Sequence, residues 1–196
     1  MSEYDNISKR SAQWKTWHDN GIGSKDAIID TASQLNQLTY FSEYFTDRST
    51  ALDLLEIGPF NGVLCDLILS NYNINSYTLV DDTSRLEICK QNLSHYNKIK
   101  YVSIEDLKSI SDGPFDAFIS NNCLSETTNE YQNYIFNNFF VSCKQVFIID
   151  NFNESSQFHM SAADYLKRLT KSLHMNFTDV KIIDITRDSK LFYATR

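Results

Sequence analysis

The sequence has few of the residues that build linkers and loops: its 196 residues include five glycines and two prolines. Long flexible linkers are rich in glycine, serine and proline, so this scarcity argues against several domains joined by linkers. The chain also lacks any apolar run of the roughly 18 residues that a transmembrane helix needs. Its polar first ten residues lack the apolar stretch of a signal peptide. We therefore expect one globular, cytoplasmic unit with no membrane partner.

The chain lacks the residue patterns of two kinds of site: a zinc site and a basic surface that binds nucleic acid. The four cysteines, Cys65, Cys89, Cys123 and Cys143, form no C-x-x-C pair and have no histidine at zinc-site spacing, so we expect free thiols. The chain has 18 basic and 25 acidic residues, which gives a net charge of −7. A protein that holds nucleic acid on a basic surface has the opposite balance, so no nucleic-acid partner is expected.

The pattern of apolar residues changes at about residue 50. Before it, helical spacing predicts one helix over residues 3–18 and a second from Ser24 to about Phe45, which together form an N-terminal helical cap (residues 1–50). After it, strands alternate with helices, which predicts an α/β domain (residues 51–196) with a mainly parallel sheet. The last two strands form an antiparallel hairpin. The predicted strands cover residues 51–57, 76–81, 99–104, 115–120, 144–150, 180–185 and 191–195.

Two helix starts carry a recognisable side-chain signature. Ser84 and Glu87 have the S-x-x-E spacing of a capping box, in which each side chain bonds a free backbone N–H of the first turn. Ser161 and Asp164 mark the start of the helix after the fifth strand in the same way. Both pairs predict where a helix begins.

The loop after the first strand carries the strongest functional signal. Gly58 and Gly62 follow the strand at once, and glycine there lets the backbone turn sharply and approach a ligand. A dinucleotide-binding loop has the spacing G-x-G-x-x-G, but here Phe60 and Val63 occupy the second and third glycine positions. The spacing therefore disfavours a dinucleotide.

Acidic residues end three consecutive predicted strands. Glu56, before the first glycine, suits a ligand with an ammonium group, and Asp81 lies where a carboxylate accepts both ribose hydroxyls. Glu105 and Asp106 follow the third strand, where they could face an adenine edge. This pattern indicates an adenosine joined to an amino acid. Two structural alternatives remain open: Asp81 as a helix cap, and Glu105 and Asp106 as ordinary acids of a helix first turn.

The run from Glu56 to Asp81, the acids after strand three and the closing hairpin resemble class I methyltransferases. That resemblance covers residues 51–196 and implies a Rossmann-like fold, a sheet order of 3-2-1-4-5-7-6 and S-adenosyl-L-methionine as cofactor. Phe60 departs from the family's G-x-G-x-G pattern. The cofactor-binding residues that the resemblance implies are Glu56, Gly58, Pro59, Phe60, Gly62, Asp81, Asp82, Glu105, Asp106, Ser120 and Asn121.

Residues 115–135 resemble a second, narrower family of sugar O-methyltransferases. Ser120, Asn121, Ser125 and Glu126 match that family's D-x-x-x-S-N-x-x-x-S-E stretch. The match implies methyl transfer to a hydroxyl of a small molecule, with a sugar as a candidate acceptor. Ser125 and Glu126 could instead cap the following helix. A small-amine N-methyltransferase and a non-catalytic binding module are the competing interpretations.

A hydroxyl acceptor needs a group that takes its proton. His159, in the loop after strand five, is the first candidate base, and His18 in the N-terminal cap is the second. Asp150 and Asn151 resemble the Asp-Asn pair of magnesium-dependent catechol-type methyltransferases, but the acid which those enzymes add after strand four is absent. The leading interpretation therefore has no metal. The sequence leaves a homodimer open.

Overall fold

The computed structural model describes residues 31–110, 113–152 and 161–196. Within these ranges the chain alternates between strands and helices, with two short 3₁₀ helices among them. The elements are α1 (Thr31–Tyr44), β1 (Leu52–Ile57), α2 (Val63–Asn71), β2 (Ile74–Asp81), α3 (Thr83–Asn92), β3 (Ile99–Ser103), a 3₁₀ helix (Ile104–Ser109), β4 (Phe115–Asn121), a 3₁₀ helix (Leu124–Glu126), α4 (Asn129–Asn138), β5 (Cys143–Asn151), α5 (Ala162–Asn176), β6 (Asp179–Asp184) and β7 (Ser189–Thr195).

The strands form one seven-stranded sheet in the order β3-β2-β1-β4-β5-β7-β6. Strands β1 to β5 are parallel, and β7 pairs antiparallel with both β5 and β6. The predicted sheet order and the antiparallel hairpin are therefore confirmed. The order of connection reverses between β1 and β4, and ligands of such sheets bind outside the carboxyl ends of the strands at that point.

Hydrophobic cores cover both faces of the sheet, which explains the continuous apolar runs in the sequence. Leu54 and Leu55 are neighbours on β1 and both are fully buried, but they belong to different cores. Leu54 lies in the core that includes Phe41 of α1, whereas Leu55 packs in the core that includes Phe136 of α4. A strand that is buried on both faces needs apolar side chains at odd and even positions alike.

Helix α1 packs against the sheet through aromatic side chains. The Phe41 ring meets the Phe147 ring of β5 edge to face, with ring centroids 5.5 Å apart. Tyr44 stacks on Tyr193 of β7 with centroids 4.0 Å apart. The predicted helix over residues 3–18 and the start of the second one lie outside the described residues. Across the described ranges, no helix combines the length and apolar character needed to cross a membrane.

The start of α3 differs from the prediction. Asp82 caps this helix, since its side chain accepts a hydrogen bond of 2.9 Å from the Arg85 N–H. The predicted capping box of Ser84 and Glu87 is wrong, because the helix begins at Thr83 and both residues lie inside it. Glu87 instead pairs with Lys90 at 2.6 Å.

The start of α5 agrees with its predicted signature. Ser161 caps this helix and accepts a hydrogen bond of 3.1 Å from the Asp164 N–H. Its hydroxyl in turn donates to the Asp164 carboxylate at 2.7 Å. The predicted start of this helix is therefore confirmed.

Candidate functional site

The loop between β1 and α2 is built around two glycines in the left-handed region. Gly58 has φ +75° and Gly62 has φ +86°, where side-chain-bearing residues are strained. A Cβ on Gly58 would lie 2.4 Å from both Cβ and Sγ of Cys123, which follows β4. A Cβ on Gly62 would lie 2.7 Å from Leu93 Cδ1. The loop therefore needs glycine at both positions, for conformation and for close packing.

Phe60 stands in the same loop with φ +56°, in the left-handed region although it is not glycine. Its backbone N–H lies near enough to the carboxylate of Asp81, at the end of β2, to lower the pKa of that group. The Arg85 guanidinium lies over its ring, 4.6 Å from the ring centroid. Phe60 thus holds a backbone conformation that glycine adopts without strain, and its ring packs against Arg85.

Phe60 offers a test of this strained conformation. Both Phe60→Gly and Phe60→Ala lose the ring contact with Arg85, but glycine alone adopts a positive φ without cost. We expect Phe60→Ala to be less stable than Phe60→Gly by about 1 kcal/mol. Urea unfolding of the two variants measures the difference. An alanine variant at least as stable as the glycine variant would show that residue 60 does not hold a positive φ.

Asp81 lies half-buried at the carboxyl end of β2. Its carboxylate accepts a hydrogen bond of 2.8 Å from the Asp82 N–H. Burial is the main cause that raises its pKa, and the charge of Asp82 adds to this, while the Phe60 and Asp82 N–H groups oppose it. The alternative interpretation of Asp81 as the helix cap is wrong, because Asp82 has that position. Asp81 therefore lies at the end of β2, beside the backbone of Phe60 in the loop between β1 and α2.

Glu56, near the end of β1, is buried, with 1% of its surface exposed. Its carboxylate accepts a hydrogen bond of 2.8 Å from the Tyr77 hydroxyl. Burial raises its pKa to about 7, with a further contribution from the charge of Asp81. Its own charge raises the pKa of Cys65 in α2 and of Cys89 in α3, so the carboxyl group lies on the α2 and α3 side of the sheet.

The pKa of Glu56 predicts a pH dependence of stability. Between pH 4.5, the ordinary value, and about 7, the folded protein binds the Glu56 proton more readily than the unfolded chain does. The free energy of unfolding should therefore fall as pH rises through this window, by up to about 1.4 kcal/mol per pH unit from this group. Burial raises the pKa of Asp150 to about 6 and adds a slope of the same sign.

Urea unfolding at a series of pH values measures this slope. Glu56→Gln should flatten it, whereas Glu87→Gln, at an exposed position of α3, should leave it unchanged. A wild-type slope that survives in the Glu56→Gln variant would contradict the assignment.

The end of β4 carries buried polar atoms that have no hydrogen-bond partner among the described residues. Ser120 is fully buried, and its Oγ has no hydrogen bond to any described residue. The same holds for the buried Oδ1 of Asn121. Asn122 follows with φ +48°, and its N–H donates to the Ile149 carbonyl at 2.8 Å. Buried polar atoms without a partner are rare, and they indicate a place where a ligand or water binds.

Asp150, at the end of β5, lies in a buried cluster that the sequence did not predict. Its carboxylate accepts hydrogen bonds from the Ser125 N–H at 3.0 Å, from the Ser125 hydroxyl and from the Tyr165 hydroxyl at 2.7 Å. The prediction that Ser125 or Glu126 caps the next helix is wrong, because Thr128 caps α4. Since protein donors hold both carboxylate oxygens, Asp150 is poorly placed to bind a metal.

The magnesium alternative pairs Asp150 with Asn151. Asn151, the second member of that pair, is exposed at the end of β5. Over the described ranges, no group of three His, Cys, Asp or Glu side chains is arranged to hold a metal ion.

The acids after β3 have different surroundings. Asp106 accepts a hydrogen bond of 2.9 Å from the Ser103 hydroxyl, and Ser103 caps the 3₁₀ helix that follows β3. Glu105 lines a cleft of about 460 Å³ between that 3₁₀ helix and α4, and Ile104 and Tyr131 also line it. Both acids thus lie in the first turn of a helix, which is the alternative to adenine binding that the sequence left open. Glu105 also lines an open cleft.

Comparison with known proteins shows which fold this arrangement of strands and helices has. No protein-family model matches the sequence, and no curated protein sequence matches it. Solved structures do match. The methyltransferase domain of bacterial CtHen1 superposes with a TM-score of 0.64 at 14% identity, over 83% of this chain and 97% of that one. This chain has the methyltransferase fold.

Two further matching structures are of proteins named together with S-adenosylmethionine or SAH. SibL, an S-adenosylmethionine-dependent methyltransferase, has a TM-score of 0.59 at 11% identity, over 98% of this chain and 70% of that one. PigF, solved with SAH, has a TM-score of 0.56 at 18% identity, over 81% of this chain and 56% of that one. At such identities the likeness shows the fold alone.

Within the methyltransferase fold, the predicted cofactor residues cluster at the carboxyl edge of the sheet, at the ends of β1, β2, β3 and β4. Pro59 is buried in the first loop, and Asp82 is exposed at the start of α3. The two candidate bases, His159 and His18, lie outside the described residues, so their placement stays a prediction. Arg85, Cys123 and Tyr131 are neighbours of this site that the sequence did not single out.

Proposed function

We propose that this chain is an S-adenosylmethionine-dependent methyltransferase that acts on a small molecule. The observation that carries the proposal is the acidic pair at the ends of β1 and β2, with a tight glycine loop between them at the switch point of the sheet. Glu56 and Asp81 are close enough for the charge of Asp81 to raise the pKa of Glu56. A ligand that carries an ammonium group and a ribose relieves that repulsion, whereas a pyrophosphate would add to it.

The residues around the loop fit such a ligand. Asp81 would accept the two ribose hydroxyls, and Glu56 would offset the charge of the ammonium group. The unpaired atoms of Ser120 and Asn121 at the end of β4 are free to bond polar groups of the cofactor or acceptor. Gly58 and Gly62, both at positive φ, let the loop turn tightly beside these acids. These features support S-adenosyl-L-methionine over a nicotinamide dinucleotide.

The chemistry is a displacement in which the cofactor supplies a methyl group activated by a sulfonium. The chain must then align the acceptor, exclude water and receive a proton from a hydroxyl. We propose His159 as that base, with His18 as the second candidate. A magnesium ion at Asp150 and Asn151 is a weaker alternative, because Ser125 and Tyr165 already hold the Asp150 carboxylate.

The proposed acceptor is a hydroxyl of a small molecule, with a sugar as the first candidate. The similarity of residues 115–135 to sugar O-methyltransferases supports this, as do the unpaired polar atoms of Ser120 and Asn121. Nucleic acid and membrane are not proposed as partners, and a homodimer is compatible with the proposal. A small-amine acceptor and a binding module without activity are the alternatives.

A methyl-transfer assay tests the proposal. The protein is incubated with methyl-labelled S-adenosylmethionine and a panel of sugars, other alcohols and small amines, and product masses are measured. Asp81→Ala serves as the matched negative control. We expect label on a hydroxyl compound. Label on an amine would favour the N-methyltransferase, and cofactor binding without transfer to any acceptor would favour the binding module.

A further inference from the structure

The carboxylate of Asp150 joins three segments of the fold inside the protein. Asp150 is fully buried at the end of β5. Its donors include the N–H and hydroxyl of Ser125, in the 3₁₀ helix after β4, and the hydroxyl of Tyr165 in α5. A buried carboxylate is costly unless hydrogen bonds satisfy it, and an apolar side chain would fill the same space without that cost. Its presence therefore indicates a role other than packing.

The turn that follows β4 is fixed at several points of its backbone. Near the start of this β4 turn (residues 121–126), the Asn122 N–H donates to a carbonyl of β5 at 2.8 Å. The Leu124 carbonyl accepts a hydrogen bond of 2.9 Å from the buried Gln132 side chain of α4. Ser125, the next residue, donates twice to the buried carboxylate of β5. Contacts with β5 and α4 thus set the position of the turn.

The β4 turn packs against the glycine loop of the proposed cofactor site. Cys123, in the middle of the turn, lies so close to Gly58 that a methyl group on the glycine would overlap the cysteine Cβ and Sγ. The buried Ser120 Oγ and Asn121 Oδ1, which lack a partner among the described residues, lie where β4 enters the turn. A shift of the turn would therefore move the side chain beside the glycine loop and two polar atoms that are available to a ligand.

We propose that Asp150 is a positioning residue, which holds the β4 turn against the glycine loop through Ser125 and so raises the affinity for the adenosyl cofactor. The inference rests on the proposed function, because the ligand of the loop is the proposed cofactor. Asp150 acts without touching that ligand, since protein donors hold both of its carboxylate oxygens. Tyr165 shares the carboxylate, but it donates from α5 and not from the turn.

Two substitutions each remove one hydroxyl from the same carboxylate. Ser125→Ala removes a bond from the turn and Tyr165→Phe removes the bond from α5, so both should lower the melting temperature by several degrees. A hydrogen bond to a charged group shifts the balance between a held and a released turn by about 10- to 150-fold. Ligand affinity falls with the fraction of protein in the binding-competent state, so we expect Ser125→Ala to bind S-adenosylhomocysteine at least about 3-fold more weakly. Tyr165→Phe should bind it as the wild type does.

Two larger side chains at residue 125 provide a matched pair. Ser125→Thr and Ser125→Val introduce side chains of nearly the same shape, but only threonine keeps a hydroxyl that can donate to Asp150. Threonine should therefore retain more of the wild-type affinity than valine, whatever the added methyl group costs. Equal affinities of these two variants would mean that the hydroxyl does not act on the ligand.

The deciding experiment combines calorimetry with S-adenosylhomocysteine and amide hydrogen exchange of the ligand-free proteins. We expect faster exchange in the β4 turn and weaker binding in Ser125→Ala, and neither effect in Tyr165→Phe. Wild-type affinity in both variants, an equal loss in both, or faster exchange in the turn with unchanged affinity would overturn the inference. Failure of the proposed function is seen separately, as a wild type that does not bind S-adenosylhomocysteine. In that case the link to affinity fails with it, and the exchange rates alone show whether Ser125 holds the turn.

Discussion

Replacing Asp81 by alanine should weaken the binding of S-adenosylhomocysteine by about 2–3 kcal/mol, or roughly 30- to 150-fold. The carboxylate is half-buried at the carboxyl end of β2, and burial is the main cause that raises its pKa. Two ribose hydroxyls would supply that stabilisation through charge-assisted hydrogen bonds. Isothermal calorimetry with purified variant and wild type measures the loss.

Two controls separate ribose binding from loop structure. Asp81 also accepts a hydrogen bond from the Asp82 N–H, so Asp81→Asn, which keeps one acceptor oxygen and the side-chain volume, should retain the fold and bind with intermediate affinity. Asp184→Ala makes the same change in charge on the exposed edge strand β6 and should leave the affinity at the wild-type value. Wild-type affinity in a folded Asp81→Ala variant would mean that Asp81 only holds the loop.

Replacing Gly58 by alanine should destabilise the fold by about 2–5 kcal/mol and abolish cofactor binding. A positive φ costs roughly 1–2 kcal/mol for a residue with a Cβ, and overpacking costs about 1–3 kcal/mol more. The overpacking arises because the new Cβ would lie 2.4 Å from Cys123 Cβ and Sγ. Since folded domains are stable by only about 5–15 kcal/mol, a loss of this size is a large share of the total. Urea unfolding measures it.

A second substitution tests the packing contact itself. Cys123→Gly removes both atoms that the new methyl group would meet, so the double variant Gly58→Ala with Cys123→Gly should be more stable than Gly58→Ala alone. Only the contribution from the positive φ should remain. Strictly additive losses in the four-protein cycle would contradict a direct clash between the two positions.

The fold was predictable because its signals are local. Strands buried on both faces read as apolar runs, and β1 and β5 begin or end within one residue of the predicted limits. The sheet order came from the resemblance to methyltransferases, since no local pattern states which strands pair. The wrong capping box at Ser84 shows the limit of such signals: Asp82 offers a cap two residues earlier, and the chain uses that one.

The candidate site was predictable only in part. The glycines and the acids at the strand ends are visible because each follows an apolar run directly. The contacts that define their surroundings join distant segments: Cys123 packs on Gly58, and Ser125 binds Asp150. No spacing rule predicts such pairs. Likewise, nothing in the sequence marks the Ser120 Oγ as lacking a partner among the described residues, because that depends on the packing at the end of β4.

The central claim, an adenosyl cofactor with an amino-acid tail bound at Glu56 and Asp81, is tested most directly by calorimetry of the full chain. S-adenosylhomocysteine and NAD are titrated separately into the same preparation at neutral pH, and melting temperatures are recorded with and without each compound. We expect saturable binding of S-adenosylhomocysteine with a raised melting temperature, and neither effect with NAD. Binding of NAD together with no response to S-adenosylhomocysteine would contradict it.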